Sequence, residues 1–300
     1  MNNLFSKIDE KQILVSDGAW GTELIKMGFQ SGSCPELWNL EKPNEIFSIA
    51  KSYIDAGSDI ISTNSFGASK IKLEQFNLSD KTYSINVKAA ELSREAAKDK
   101  LVMGSVGPTG KFLMMGEISQ EELRESFLLQ LKGLIDGGVD AILFETFYDL
   151  DELKIGIEVA RDLNDIPIIC SITFNKNSER EFFTLMGNSV QQVYSFLIEM
   201  GVGLAGVNCG NGYFDSIEII KKIKSNFPEL KLLVQPNAGL PEMISDQLIY
   251  SETPEKISPA VEELLELGVT IIGGCCGTTK KHIKLIRDLV DKKIKSFNLQ

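Results

Sequence analysis

Short β-branched runs alternate with longer amphipathic stretches along almost the whole chain of 300 residues, and this rhythm constrains the fold more than any other feature. Apolar runs bounded by Gly, Pro, Asn or Asp predict strands over 13–19, 60–65, 101–107, 141–147, 166–174, 206–209, 231–237 and 270–276. Segments of helical period predict helices over 43–56, 81–98, 120–136, 150–163, 189–200, 216–226, 254–267 and 280–292. Several of these helices run into a glycine just before the next strand, at Gly57, Gly137-Gly138, Gly201 and Gly268. Glycine accepts the left-handed backbone that closes a helix, and so short a return suits parallel strands joined by crossover helices. Eight such units can close as a (β/α)8 barrel or spread as an open doubly wound sheet. No G-x-G-x-x-G follows the first strand, which removes the main signature of the open dinucleotide-binding form. The expected fold is therefore α/β, a single (β/α)8 TIM barrel over residues 1–300, because no linker, low-complexity tract or charge block divides the chain.

Composition narrows the function. Lys+Arg number 31 against 42 Asp+Glu, a formal net charge of −11 that repels phosphate backbones and acidic lipid headgroups. Neither nucleic acid nor a membrane is an expected partner. No apolar run approaches the roughly 18 residues of a membrane helix, and the first ten residues lack an apolar signal-peptide core, so a cytoplasmic location is expected. The five cysteines are an odd number in such a chain, which argues against a disulfide framework and for thiol or metal chemistry.

In a barrel the chemistry sits where strands end. Three cysteines fall there: Cys209 at the end of the sixth predicted strand, and the adjacent pair Cys275 and Cys276 within Gly-Gly-Cys-Cys-Gly at the end of the eighth. Three thiolates offer Zn²⁺ an S₃ set with one open position, the arrangement of a catalytic zinc site. Small apolar filling is the alternative, and for Cys209 taken alone it would prevail. Cys170 lies mid-strand and reads as a core thiol, while Cys34 has no visible partner. The only histidine, His282, sits on a polar helical stretch after two lysines and reads as solvated, so base chemistry falls to carboxylates or an already ionised thiol. Asp17 and Glu145 are the carboxylates expected in the pocket, where Glu145 would need a cation such as a substrate ammonium; structural caps are the alternative. Gly18, Gly21 and Thr22 form a turn whose backbone N–H groups could hold a carboxylate.

Seven motifs, in order, carry a resemblance: Asp17-Gly18-Ala19-Trp20-Gly21-Thr22-Glu23, Thr63-Asn64-Ser65-Phe66-Gly67-Ala68, Gly107-Pro108-Thr109-Gly110, Phe144-Glu145-Thr146-Phe147, Asn208-Cys209, Pro236-Asn237-Ala238-Gly239 and Gly273-Gly274-Cys275-Cys276-Gly277-Thr278-Thr279. Together they resemble the homocysteine S-methyltransferase family over about 13–289, most closely the homocysteine-binding modules of cobalamin-dependent methionine synthase and of the fusion with methylenetetrahydrofolate reductase. The resemblance implies a TIM barrel with catalytic zinc on Cys209, Cys275 and Cys276. It implies Asp17 and Glu145 near the amino group of homocysteine, and backbone groups of Gly18, Ala19, Gly21 and Thr22 on its carboxylate. It further implies Asn237 beside or on the metal when substrate is absent.

The chemistry then expected follows from thiol acidity. A free thiol titrates near ~8.5, whereas coordination to zinc removes its proton outright, so no general base is required. The expected function is zinc-dependent methylation of homocysteine to methionine, the methyl arriving from a methylcorrinoid protein on a separate chain or from methylcobalamin. The alternatives are a sulfonium donor (S-methylmethionine or S-adenosylmethionine), a non-catalytic homocysteine or zinc-binding subunit, and a metal-free reactive cysteine.

Overall fold

Eight parallel strands form one sheet: β1 (Leu14–Val15), β2 (Ile60–Ser62), β3 (Leu101–Val106), β4 (Ala141–Phe147), β5 (Ile168–Ile172), β6 (Leu204–Cys209), β7 (Lys231–Pro236) and β8 (Ile271–Ile272). This computed structural model describes residues 4–9, 13–30, 32–210, 212–244 and 247–297. Pairing follows chain order from β2 through β8 and then returns to β1. Asp59 bridges the remaining seam: its N–H donates to the Val15 carbonyl at 2.7 Å, and its Oδ2 accepts from the Val15 N–H at 3.1 Å. Arg287 and Lys100 neutralise that carboxylate at 2.7 and 3.0 Å. The expected (β/α)8 barrel is the observed fold, with all eight strands at their predicted places and β1 and β8 cut to two residues each.

The surrounding helices are Pro43–Ala56, Thr82–Ala97, Gln120–Asp136, Leu150–Leu163, Val190–Glu199, Tyr213–Asn226, Pro254–Glu266 and Lys280–Phe297. Local chemistry sets their ends. Ser119 and Ser189 open helices with reciprocal capping boxes, and Gly57, at φ 108°, closes the first of the eight in the left-handed region. No described helix is long and apolar enough to cross a membrane.

Strand periodicity builds the interior in layers. One layer holds Leu14, Ile60, Met103, Leu143, Ile169, Leu204, Leu233 and Ile271, one residue from each strand, all buried. Leu4 and Ile8 join this cluster from a short helix, Leu4–Asp9, that the sequence pattern did not reveal. Two residues farther along each strand, on the same inward face, stand Ser16, Ser62, Ser105, Glu145, Ser171, Gly206, Gln235 and Gly273. The two glycines are steric requirements: a Cβ at Gly206 would run into the Leu233 carbonyl, and one at Gly273 into Ser16. Residues of opposite parity, such as Val15, Ile61, Phe144, Cys170 and Val234, pack between strands and helices.

Elements absent from the sequence reading lie mainly in the loops that leave the carboxyl ends of strands. They are the helices Gly21–Lys26, Trp38–Glu41 and Lys70–Glu74, the hairpin Asn175–Lys176 with Phe182–Phe183, and the hairpin Pro241–Ile244 with Gln247–Tyr250.

Candidate metal centre

The last residue of β6 turns a thiol inward at some backbone cost. Cys209 has φ 56°, in the left-handed region that side chains with a Cβ avoid. Asn208 supports this turn: its Oδ1 accepts from the Thr146 N–H at 2.9 Å, and its Nδ2 donates to Thr146 Oγ1 at 2.6 Å and to Cys209 Sγ at 3.6 Å. Thr146, itself at φ 64°, is the counterpart on β4. Past β8, the Cys275 N–H still donates to the Pro236 carbonyl at 2.7 Å, and Thr278 N–H folds back to the Cys275 carbonyl at 3.0 Å. That turn brings the vicinal thiols to Cys209.

Cys209 Sγ lies 2.9 Å from Cys275 Sγ, which lies 4.0 Å from Cys276 Sγ, and the three sulfurs are within 4.8 Å of one another. Four sulfurs around zinc at about 2.3 Å stand about 3.8 Å apart, so the cluster has the size and chemistry of three corners of that tetrahedron. Hydrogen bonds from Cys209 and Cys275 hold Cys276 well below the usual thiol range, and the bonds of Cys275 to Cys209 and Cys276 push Cys275 well above it. All five cysteines are free. Cys170 is the core thiol expected, and burial pushes it well above the ordinary range.

A cavity of about 260 Å³ opens on this cluster. Its lining takes in the three cysteines, Asp17, Gly18, Ala19, Gly21 and Glu145, whereas Thr22 and Asn237 lie outside it. Asp17 is held by three donors: the Ser62 N–H at 2.8 Å, the Ser62 hydroxyl at 3.1 Å and the Trp20 indole N–H at 2.9 Å. Burial outweighs them and raises its carboxyl to about 6. Glu145 accepts a hydrogen bond from the Ser105 hydroxyl; burial raises it to about 7, with repulsion from Asp17 and Cys276 adding to the effect. The Ala19 N–H is already given to the Thr278 carbonyl at 3.0 Å. Asn237 donates from Nδ2 to the Gly210 carbonyl at 2.9 Å, while its buried Oδ1 has no partner.

Two sequence expectations are corrected. His282 is 6% exposed: its Nδ1 accepts from the Thr279 N–H at 3.1 Å, and its Nε2 lies 2.8 Å from the Glu252 carbonyl. The lysines before it face outward while helical geometry turns the imidazole in. Cys34 does have a partner, donating its S–H to the buried Glu36 at 3.4 Å, and Glu36 in turn takes the Gly67 N–H at 2.6 Å. Glu36 was missed altogether, although it lines the cavity as a third carboxylate; among the described residues no Lys, Arg or His does. Ser62, Ser105, Asn208 and Gln235 stand at the strand ends that the sequence reading picked out but had been given no role there; counting two residues onward from the apolar strand positions reaches Ser62, Ser105 and Gln235.

A family model described as homocysteine S-methyltransferase matches residues 14–290. The chain belongs to that family. It is 28% identical to methionine synthase of Mycobacterium tuberculosis (strain ATCC 25618 / H37Rv) over 293 residues, covering 91% of this chain and 24% of the relative. Identity and coverage are the same against methionine synthase of Mycobacterium leprae (strain TN). The chain thus spans about a quarter of the length of these relatives. Among solved structures, the homocysteine methyltransferase MmuM from Escherichia coli superposes with a TM-score of 0.78 in its metallated form and 0.77 in its oxidised form. Both are 24% identical and cover 96% of this chain and 99% of that one, a likeness of fold.

Proposed function

We propose that residues 1–300 work as one homocysteine-binding domain that methylates homocysteine to methionine, in the cytoplasm, at a zinc ion held by Cys209, Cys275 and Cys276. The observation that carries this reading is the convergence of three thiols from two strand ends on one side of a cavity. Bound zinc would ionise the substrate thiol at neutral pH while an all-thiolate ligand set keeps its sulfur electron-rich. Glu145 and Asp17 would face the substrate ammonium, the cation that two buried and mutually repelling carboxylates lack. Backbone groups of Gly18 and Gly21 would hold the carboxylate, the Ala19 N–H being already bonded and Thr22 lying outside the cavity, and the unpaired Oδ1 of Asn237 is free to approach the metal when substrate leaves.

The donor we favour is a methylcorrinoid protein on a separate chain, or methylcobalamin itself. A cavity of about 260 Å³ takes an amino acid but falls below the roughly 300–1,000 Å³ that encloses a drug-sized ligand. A corrinoid would therefore have to meet the sulfur at the mouth. The loops after β3 and β7 present apolar side chains, with Met114 79% and Met243 68% exposed. A sulfonium donor is the second reading, favoured by a lining with three carboxylates and, among the described residues, no basic one.

The test is methionine formation by zinc-loaded protein with homocysteine and, in turn, methylcobalamin, a methylated corrinoid protein, S-methylmethionine and S-adenosylmethionine. Turnover with the corrinoids and none with the sulfonium compounds is expected. The reverse result establishes the second reading, and no turnover with any donor contradicts a catalytic role.

A further inference from the structure

The side-chain amide of Asn208 stands beside the thiol cluster without lining the cavity, and its hydrogen bonds fix which way round it sits. A backbone N–H can only donate, so the amide atom 2.9 Å from the Thr146 N–H is the oxygen, Oδ1. The Nδ2 group then turns its two N–H bonds to the remaining neighbours, Thr146 Oγ1 at 2.6 Å and Cys209 Sγ at 3.6 Å. Two local features bring these groups together. The register of β4 against β5 shifts between Phe144 and Phe147, and Thr146, at φ 64°, gives its N–H to Asn208 across the end of β5. The Thr173 hydroxyl, just past β5, donates to the Asn208 carbonyl at 3.0 Å and holds the backbone from which Cys209 departs at φ 56°. Asn208 is 3% exposed, so the sulfur takes this N–H rather than one from bulk water.

We propose that Asn208 is a positioning residue of the metal centre, donating a hydrogen bond from Nδ2 to Cys209 Sγ and so orienting one of the three thiolates and drawing charge from it. The proposal rests on the reading of these thiols as zinc ligands. The amide reaches the sulfur from outside the cavity, so substrate need not displace it, and the bond acts on the metal through its ligand. Partners of this kind typically change metal affinity or activity by 10–100-fold.

The bond is read on cadmium-loaded wild-type protein, in which a proton shared with a metal-bound sulfur couples to the metal nucleus in NMR spectra. A correlation between the bound cadmium and a side-chain amide proton of Asn208 is expected, a signal that a residue bracing only the backbone does not produce. Because this spectrum is taken on the wild type, no variant has to fold for the proposal to be tested. Asn208→Asp keeps an oxygen on the Thr146 N–H and removes the N–H donors; with cobalt(II) bound, its thiolate-to-metal charge-transfer band should move to lower energy, since a sulfur relieved of a donor gives up its electron more readily. Asn208→Ala should weaken zinc binding by about tenfold or more in competition with a chromophoric chelator. Cadmium bound without a correlation to Asn208 overturns the proposal and leaves the zinc reading standing, even where Asn208→Ala loses metal, since bracing would then be the whole role. An unmoved cobalt band in Asn208→Asp overturns it as well. Wild-type protein that takes up no metal overturns both this inference and the zinc reading beneath it.

Discussion

Two adjacent layers of the same barrel interior, one residue pair apart on every strand, have opposite chemistry. The layer containing Leu14, Met103, Leu143 and Leu233 is wholly apolar and closed by Leu4 and Ile8. The next, with Ser16, Ser62, Ser105, Glu145, Ser171 and Gln235, holds no apolar side chain, and its other two positions are Gly206 and Gly273. At the second level Ser171 Oγ and Gln235 Oε1 are buried without partners, whereas the first has no side-chain polar atom to satisfy. The first layer gains stability by excluding water, and the second accepts a desolvation cost that is useful only when a ligand supplies the missing charges and hydrogen bonds. Stability and chemistry are thus separated along one strand by about 7 Å, the rise of two residues.

The largest expected effect that could break this division is on the upper side. Cys276→Ala should lower methionine formation by on the order of a thousandfold or more, with a cooperative unfolding transition retained. Activity close to wild type would show that the thiols are packing. On the lower side, Leu143→Ala should cost about 2–5 kcal/mol in denaturant unfolding and leave zinc content at the wild-type level.

The pH dependence of the metal-free protein sharpens the comparison. Glu145 holds its proton more tightly folded, at about 7, than its ordinary 4.5. Its contribution to stability is therefore complete below pH 4.5 and lost as pH rises through about 7, a change of up to about 3 kcal/mol. Asp17, raised to about 6, adds in the same direction. Glu145→Gln should flatten the loss between pH 5 and pH 8 in urea titrations and raise the KM for homocysteine. Equal slopes in variant and parent would mean that Glu145 is not strained. The smallest effect belongs to the outer ring: Ser119→Ala, which removes a capping box, should cost about 1 kcal/mol and change neither metal content nor turnover.

The fold was legible because its signal, a short apolar run followed by an amphipathic stretch, is repeated eight times, so that even the two-residue β1 and β8 are marked by the helices beside them. Cys209, Cys275 and Cys276 were legible because they stand at strand ends, where a barrel gathers distant positions onto one rim. The hairpin of Asn175–Lys176 and Phe182–Phe183 was not, since two-residue strands carry no period of their own. His282 was misread because its chain neighbours are lysines, while its burial depends on Glu252, 30 residues away in sequence. Cys34 was likewise judged by a loop of serines and glycine, and its partner Glu36 is buried through Gly67, 31 residues farther along.

The central claim is that three thiols from two strand ends make one metal centre, and metal content tests it most directly. Wild-type protein purified with zinc and freed of loosely bound ions should carry one zinc per chain, and Cys209→Ala, Cys275→Ala and Cys276→Ala should each lose it while Cys34→Ala and Cys170→Ala keep it. A wild-type protein without zinc, or rim variants that retain it in full, would contradict the account.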